Sequence, residues 1–205
     1  MFQNIIFDWS GVVNDNVHAC YLAYVDIFKA FNTDPITFEE FKREFKLPYM
    51  DFIHQYMPHV TQKDQHEIYK NSIIKYDKNK IFKGIDQSIK IFFNHNVNLF
   101  IISSDHPETL LNQIKIFGLN GLFTEIICNV EDKSIEVENL AKKYNFDLDK
   151  TIFIGDSNHE IESGKKIGIK TGAVTWGFCS EEKLKSFNPD FMIHNLTELE
   201  KIILK

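Results

Sequence analysis

Four short stretches of this chain carry residue types that could hold a phosphate group against a metal ion. The first is Phe7-Asp8-Trp9-Ser10-Gly11-Val12-Val13-Asn14-Asp15, where a carboxylate directly follows an apolar run. Gly11 allows the tight backbone with which a loop wraps a small anion, although an aspartate in such a turn can equally cap a bend. The second, Leu99-Phe100-Ile101-Ile102-Ser103-Ser104-Asp105, ends an apolar run in two hydroxyls shortly before Pro107. Hydroxyls and unpaired amides at a helix start make a phosphate cradle, and the same serines also make ordinary N-caps. Third comes Lys133, after the run ending at Cys128, where an ammonium could neutralise a phosphoryl oxygen or simply lie in solvent. The fourth, Phe153-Ile154-Gly155-Asp156-Ser157-Asn158-His159-Glu160, sets two carboxylates four residues apart around a helix start. Carboxylates clustered at one place repel unless a cation sits among them. Hard oxygen donors with positions left open for water and phosphate suit Mg²⁺.

These residues lie far apart in the chain and need a scaffold that gathers them. Apolar runs at Asn4–Phe7, Val97–Ile102, Glu125–Cys128, Thr151–Ile154, Thr171–Val174 and Phe191–Ile193 are predicted strands. Most are unbroken, as in strands covered on both faces of a parallel sheet. Helical patterns separate them at Pro107–Phe117, Ser134–Tyr144, His159–Ile167 and Thr197–Leu204, with Asn195 and Glu198 at capping-box spacing. Alternating strands and helices predict an α/β fold with a doubly wound parallel, Rossmann-like sheet. Ligands bind beyond the carboxyl ends of such strands, which places Asp8 at the functional edge.

Residues 17–83 break this rhythm and offer only helical patterns: Val17–Phe31, Thr37–Phe45, Tyr49–Tyr56 and Thr61–Lys80. Thr37 and Thr61 are good N-caps for two of them. The expected organisation is an α/β core of residues 1–15 and 84–205, with a small α-helical cap domain, residues 16–83, inserted after the first strand.

With 205 residues and 43% hydrophobic content, including 19 Phe, the chain can bury a substantial core. A formal charge of −6 argues against nucleic acid or an anionic membrane as partner. Cys20, Cys128 and Cys179 are odd in number and widely spaced, which predicts free thiols and neither a disulfide framework nor a thiolate zinc site. The start Met1-Phe2-Gln3-Asn4-Ile5-Ile6-Phe7 has no basic region before Asp8, and no apolar run approaches membrane-spanning length, so a cytoplasmic location is expected.

In sequence order, D-x-x-G-x-x-x-D, a serine after the next core strand, a lysine and G-D-S-x-x-E resemble the four motifs of the haloacid dehalogenase superfamily. The resemblance covers nearly the whole chain, helical cap included, and is greatest to the phosphoglycolate phosphatase and β-phosphoglucomutase branch. It implies a phosphatase-type hydrolase of a small phosphorylated metabolite, acting as a monomer or homodimer. It further implies that Asp8 attacks phosphorus to form an aspartyl-phosphate, which water hydrolyses. Mg²⁺ is then held by Asp8, the main-chain carbonyl of Ser10 and Asp156, with Glu160 acting directly or through water. Ser103 and the Ser104 amide bind phosphoryl oxygens, and Lys133 neutralises charge shared by Asp8 and phosphate.

One position departs from the pattern. Phosphatases of this superfamily carry a second aspartate two residues past the nucleophile, as acid and base, and this chain has Ser10 there. Losing a positioned acid–base group costs about 10²–10⁴ in rate. The resemblance therefore leaves three readings. One is a phosphatase that is slow, borrows an acid (Asp15, His18 or His54), or uses a leaving group needing none, such as an acyl phosphate. Another is a phosphonate hydrolase, because Asp8-Trp9-Ser10-Gly11 is similar to the D-W-A-G of phosphonoacetaldehyde hydrolase, with Lys46 as the cap lysine for a Schiff base. The third is a non-catalytic metabolite-binding protein. Around residues 46–51 the cap loop is the expected specificity element, with Lys46, Tyr49 and His54 as its candidate residues.

Overall fold

A computed structural model describes every residue from Met1 to Lys205. Six parallel strands form one sheet: β1 (Asn4–Phe7), β2 (Asn98–Ile102), β3 (Glu125–Ile127), β4 (Thr151–Gly155), β5 (Lys170–Val174) and β6 (Phe191–Ile193). Their spatial order is β3-β2-β1-β4-β5-β6. The chain winds outward from β1 on one side and from β4 on the other, so the loops leaving these two strands part and open a crevice. Phe7 pairs with Ile101 of β2 and Ile154 of β4. In that register Asp8, Ser103 and Asp156 all leave the sheet at the same edge.

Between β1 and β2 the chain forms α1 (Val17–Ala30), α2 (Phe38–Glu44), α3 (Tyr49–Tyr56), α4 (Gln62–Tyr76) and α5 (Ile85–Asn94). Thr37 and Thr61 cap α2 and α4 through their hydroxyls, as their spacing predicts. The first four helices share an apolar cluster rich in aromatic rings, among them Tyr24, Phe41, Phe45 and Phe52. That cluster also takes in Ala173 of the sheet and Ile161, Phe178, Cys179 and Leu184 from the segments after β4 and β5. Phe45 stacks on Phe178 with ring centroids 5.0 Å apart. Asn158 locks the same contact by accepting from the Leu47 amide at 3.3 Å and donating to the Leu47 carbonyl at 3.2 Å.

The two chain segments that link α1–α4 to the sheet run side by side. The Asp15 amide donates to the Lys80 carbonyl at 2.8 Å, and the Phe82 amide to the Val13 carbonyl at 3.1 Å. Buried Gln113 ties this junction to the loop after β1. It accepts from Trp9 Nε1 at 2.7 Å and donates to Asn79 Oδ1 at 3.0 Å.

The remaining helices are α6 (Pro107–Ile116), α7 (Lys133–Lys143), α8 (Asn158–Ile167), α9 (Glu181–Ser186) and α10 (Leu196–Leu204). Ile5, Phe7, Leu99, Ile101, Ile152 and Ile154 enter one apolar layer with residues of α5, α6 and α10. Their alternates Ile6, Phe100, Ile102 and Phe153 enter the opposite layer with Val137 and Leu140 of α7. Both faces are apolar, so the period of two vanishes from the sequence and unbroken runs remain.

Several boundaries differ from expectation. Helix α4 stops four residues short of Lys80 because Asp77 Oδ1 takes the Asn79 amide at 2.8 Å, in a turn that puts Asn79 at φ 49°. Helix α7 includes Lys133 because Asp132, one residue earlier, caps it through the Ser134 amide. The six-residue α9 and a 3₁₀ turn at Leu148–Lys150 lack the length to show apolar periodicity. No helix is long and apolar enough to cross a membrane.

Replacing Gln113 by leucine should strand Trp9 Nε1 without a partner in the core. A loss of about 1–3 kcal/mol in a urea melt is expected, and unchanged stability would show that the Trp9 bond contributes nothing net.

Candidate active site

Asp8 is the first residue past β1 and is buried. Its Oδ1 accepts from the Trp9 amide at 2.7 Å and from Lys133 Nζ at 2.8 Å. The adjoining Trp9 ring is buried and stacked on Phe117, which fixes the backbone that carries the carboxylate. Asp8 Oδ2 accepts no hydrogen bond from the protein.

Lys133 is only 1% exposed and lies between two carboxylates, with Glu160 Oε1 at 2.5 Å on its other side. Burial alone would lower the affinity of this amine for its proton, but Asp8 and Glu160 outweigh that and hold the ammonium above its ordinary value. Glu160 Oε2 accepts from the amide and hydroxyl of Ser157 at 3.1 and 2.8 Å, completing a capping box at the start of α8. Both oxygens of Glu160 are thus engaged. Burial would raise its carboxyl, yet Lys133 holds it below the usual glutamate value.

Asp156, just past β4, is wedged between two glycines. A side chain at Gly11, where φ is +79°, would start 2.1 Å from Asp156 Oδ2, and one at Gly177 would start 2.0 Å from it. The Phe178 amide donates to that oxygen at 2.6 Å. Asp156 Oδ1 accepts nothing from the protein. Carboxylate oxygens of Asp8, Asp156 and Glu160 lie within 4.8 Å of one another. Three buried acids face a single ammonium, leaving an excess of negative charge. Burial, with Glu160 adding to it against Lys133, raises the Asp8 carboxyl from 3.8 to about 7. Burial, Asp8 and Glu160 lift Asp156 well above the ordinary range.

The donor set fits a hard divalent cation. Asp8 Oδ2, Asp156 Oδ1 and the Ser10 carbonyl are oxygens without protein partners, and the carboxylates of Asp8 and Asp156 meet where negative charge is uncompensated. The main-chain amides of Ser10 and Ser104 likewise donate to nothing within the protein, leaving donors for an anion beside the cation. The Ser104 hydroxyl is committed to the Val130 carbonyl at 2.7 Å. The Ser103 hydroxyl donates to Asp105 Oδ2 at 3.0 Å.

The remaining candidates, Asp15, His18, Lys46, Tyr49 and His54, make other contacts. His54 is exposed and bonds the Val60 carbonyl at 3.0 Å, and the Tyr49 hydroxyl accepts from Gln62 at 3.0 Å. His18 is exposed and packs against Tyr21 and Phe38, and Asp15 is exposed. Lys46 is half-buried beside Leu47, which Asn158 clasps, and forms no ion pair. The thiols of Cys20, Cys128 and Cys179 are free. Sequence reasoning missed Gly177 and the Phe178 amide. Their one signal was position, since the loop after β5 must emerge at the same sheet edge.

A family model described as haloacid dehalogenase-like hydrolase matches residues 5–174, more than half of the chain. The chain is 24% identical to pyrophosphatase PpaX of Listeria welshimeri over 211 aligned positions, covering 97% of this chain and 95% of the relative. A haloacid dehalogenase-like family hydrolase from Streptococcus pneumoniae superposes with a TM-score of 0.81 at 18% identity, covering 98% of both chains. A structure described as a predicted phosphatase from Clostridium acetobutylicum gives 0.78 at 18% identity, over 100% of this chain and 99% of that one. These two structures share the fold.

Lys133→Met would leave Asp8 and Glu160 buried without their cation. A loss of about 3–5 kcal/mol in a denaturant melt is expected. The site also sets a pH dependence. A carboxyl raised from 3.8 to about 7 binds its proton more tightly in the folded chain, so its contribution is whole below about 4 and is lost as pH climbs through 7. Without metal, this site makes the protein less stable at pH 8 than at pH 5. Because Mg²⁺ takes the ionised form, its stabilising effect should grow over that interval. At about 100 times its Kd, Mg²⁺ should raise Tm by about 5–10 °C at pH 8. An equal or larger rise at pH 5 would contradict the assignment.

Proposed function

The chain belongs to the haloacid dehalogenase-like hydrolases, and on that footing we propose that it is a Mg²⁺-dependent phosphatase for a small phosphorylated metabolite. The observation that carries this reading is the free Oδ2 of Asp8, held beside Lys133 and Asp156 at the sheet edge. Asp8 is the nucleophile. Its Oδ2 attacks phosphorus in line with the leaving oxygen, and the bond to that oxygen breaks as the aspartyl-phosphate forms. The Ser104 amide receives a phosphoryl oxygen, the Ser103 hydroxyl is committed to Asp105 Oδ2 and supports the loop beside it, and Lys133 offsets the charge that Asp8 and the phosphoryl group share. Glu160 serves this step by fixing Lys133 in place. Asp8, Asp156 and the Ser10 carbonyl would hold Mg²⁺, which would supply charge neutralisation for the phosphoryl group.

Ser10 narrows the substrate class. With no carboxyl at that position to protonate the departing oxygen, the reaction favours groups that leave readily as anions. Acyl phosphates and phosphoanhydrides meet this condition, and the pyrophosphatase relatives fit the second class. Simple phosphomonoesters, which depart as alkoxides, do not.

Residues 16–83 act as a cap over a core of residues 1–15 and 84–205. The Phe45–Phe178 stack and the Leu47–Asn158 bonds fix the cap loop against the end of α8. That contact brings Lys46 and its neighbours to the cap–core boundary, where they bear on the choice of leaving group. Tyr49 and His54, engaged within the cap, bear on it through the shape of that loop.

Phosphate release from pyrophosphate, acetyl phosphate, phosphomonoesters and phosphonoacetaldehyde, with and without Mg²⁺, tests the reading. Turnover of the first two only with Mg²⁺, abolished in Asp8→Asn, is expected. Ser10→Asp should raise phosphomonoester turnover by about 10²–10⁴. A fall in that variant would refute the argument from the missing acid. Turnover of phosphonoacetaldehyde, blocked by borohydride and lost in Lys46→Ala, would replace the phosphatase by a phosphonate hydrolase.

A further inference from the structure

Resting on the aspartyl-phosphate reaction proposed above, we infer that Asp105 orients the water that releases phosphate from Asp8. Asp105 stands in the loop after β2, two residues past Ser103, and is half-buried. Its Oδ2 accepts from Ser10 Oγ at 2.7 Å and from Ser103 Oγ at 3.0 Å. Its own amide donates back to Ser103 Oγ at 3.1 Å. Ser10 Oγ in turn accepts from Asn16 Nδ2 at 2.9 Å, while Asn16 Oδ1 takes the Gly11 amide at 3.2 Å. One oxygen of Asp105 is therefore clamped by two hydroxyls, which fixes the plane of the carboxylate. The other, Oδ1, accepts nothing from the protein and is not sealed from solvent.

The position matters as much as the clamp. Asp105 Oδ2 lies one hydrogen bond from the side chain two residues past the nucleophile. A longer acidic side chain at residue 10 would reach into that same space. The carboxylate absent from the loop after β1 is thus delivered from the loop after β2, with the short Ser10 hydroxyl as its anchor. Replacing Ser10 by alanine would remove one of the two hydroxyls that hold Asp105 Oδ2.

In the releasing step the water oxygen bonds to phosphorus as the phosphorus–oxygen bond to Asp8 breaks, and that electron pair returns to the Asp8 carboxylate. Both water protons stay with the departing dihydrogen phosphate. Asp105 accepts a hydrogen bond from the water through Oδ1, which aims the water lone pair at phosphorus, and Asp105 neither gains nor loses a proton. The first half of the reaction proceeds without Asp105, as an anionic leaving group requires.

The test follows phosphate label on Asp8. The full chain with Mg²⁺ is mixed with labelled acetyl phosphate or pyrophosphate and quenched in acid at steady state, and base-labile label on the protein is counted. Asp105→Asn should slow turnover by about 10²-fold while raising the labelled fraction towards full occupancy. kcat and KM should fall together because release has become limiting. Ser10→Ala, which frees Asp105 but removes no charge, should shift occupancy in the same direction by less. Adding Ser10→Asp to Asp105→Asn should restore turnover and lower the occupancy again, a rescue that a merely structural role for Asp105 would not produce. Label on Asp8 whose occupancy is unchanged in both single variants would overturn the inference and leave the phosphatase reading standing. Absence of label in all four proteins would remove the aspartyl-phosphate and the inference together.

Discussion

One ammonium group holds this site together. Lys133 sits in the interior with a carboxylate on either side, Asp8 from the end of β1 and Glu160 from α8. Three separate elements therefore converge on a single buried charge. An isolated ion in that place would be too costly to bury, and the arrangement survives because each partner compensates another. The compensation is deliberately incomplete. Asp156 adds a further acid that Lys133 does not reach, and the surplus negative charge is what makes the pocket receptive to a divalent cation.

Ser10 looks at first like damage. The hydrogen bonds around it describe something more ordered, because its hydroxyl has a donor in Asn16 and an acceptor in Asp105. Both neighbours are specific to the geometry of this loop, and neither has the character of a site left to drift. Ser10 also leaves its main-chain carbonyl free of any backbone partner.

The α/β fold and the parallel sheet were legible in the sequence because strands covered on both faces appear as apolar runs, and most of the six did. Helix starts at Thr37, Thr61 and Asn195 were legible from capping chemistry alone. Asp8 and Asp156 could be picked out because each directly follows such a run and so must emerge at the carboxyl edge. Other features were hidden for physical reasons. Asp105, Gln113 and the Phe178 amide act through contacts that span 95, 104 and 22 residues of chain, and no local spacing encodes them. Glu160 shows a subtler limit: a carboxylate four residues past Asp156 suits a metal ligand and a lysine holder equally, and only the location of Lys133 separates the two. His54 illustrates the reverse case, where residue type invited a chemical role and the ring instead closes off the carbonyl of Val60.

The paired backbone at Val13–Asp15 and Lys80–Phe82 has a consequence for how such a chain can change. Both covalent crossings between the helical segment and the sheet pass through one narrow ribbon, like a gate hung from one post. Gln113 lies against that ribbon and bonds Trp9 Nε1, so the ribbon and the residue beside Asp8 share one buried partner. The same geometry makes the segment modular. Helices beyond the ribbon can lengthen, shrink or be exchanged without shifting the register of a single strand.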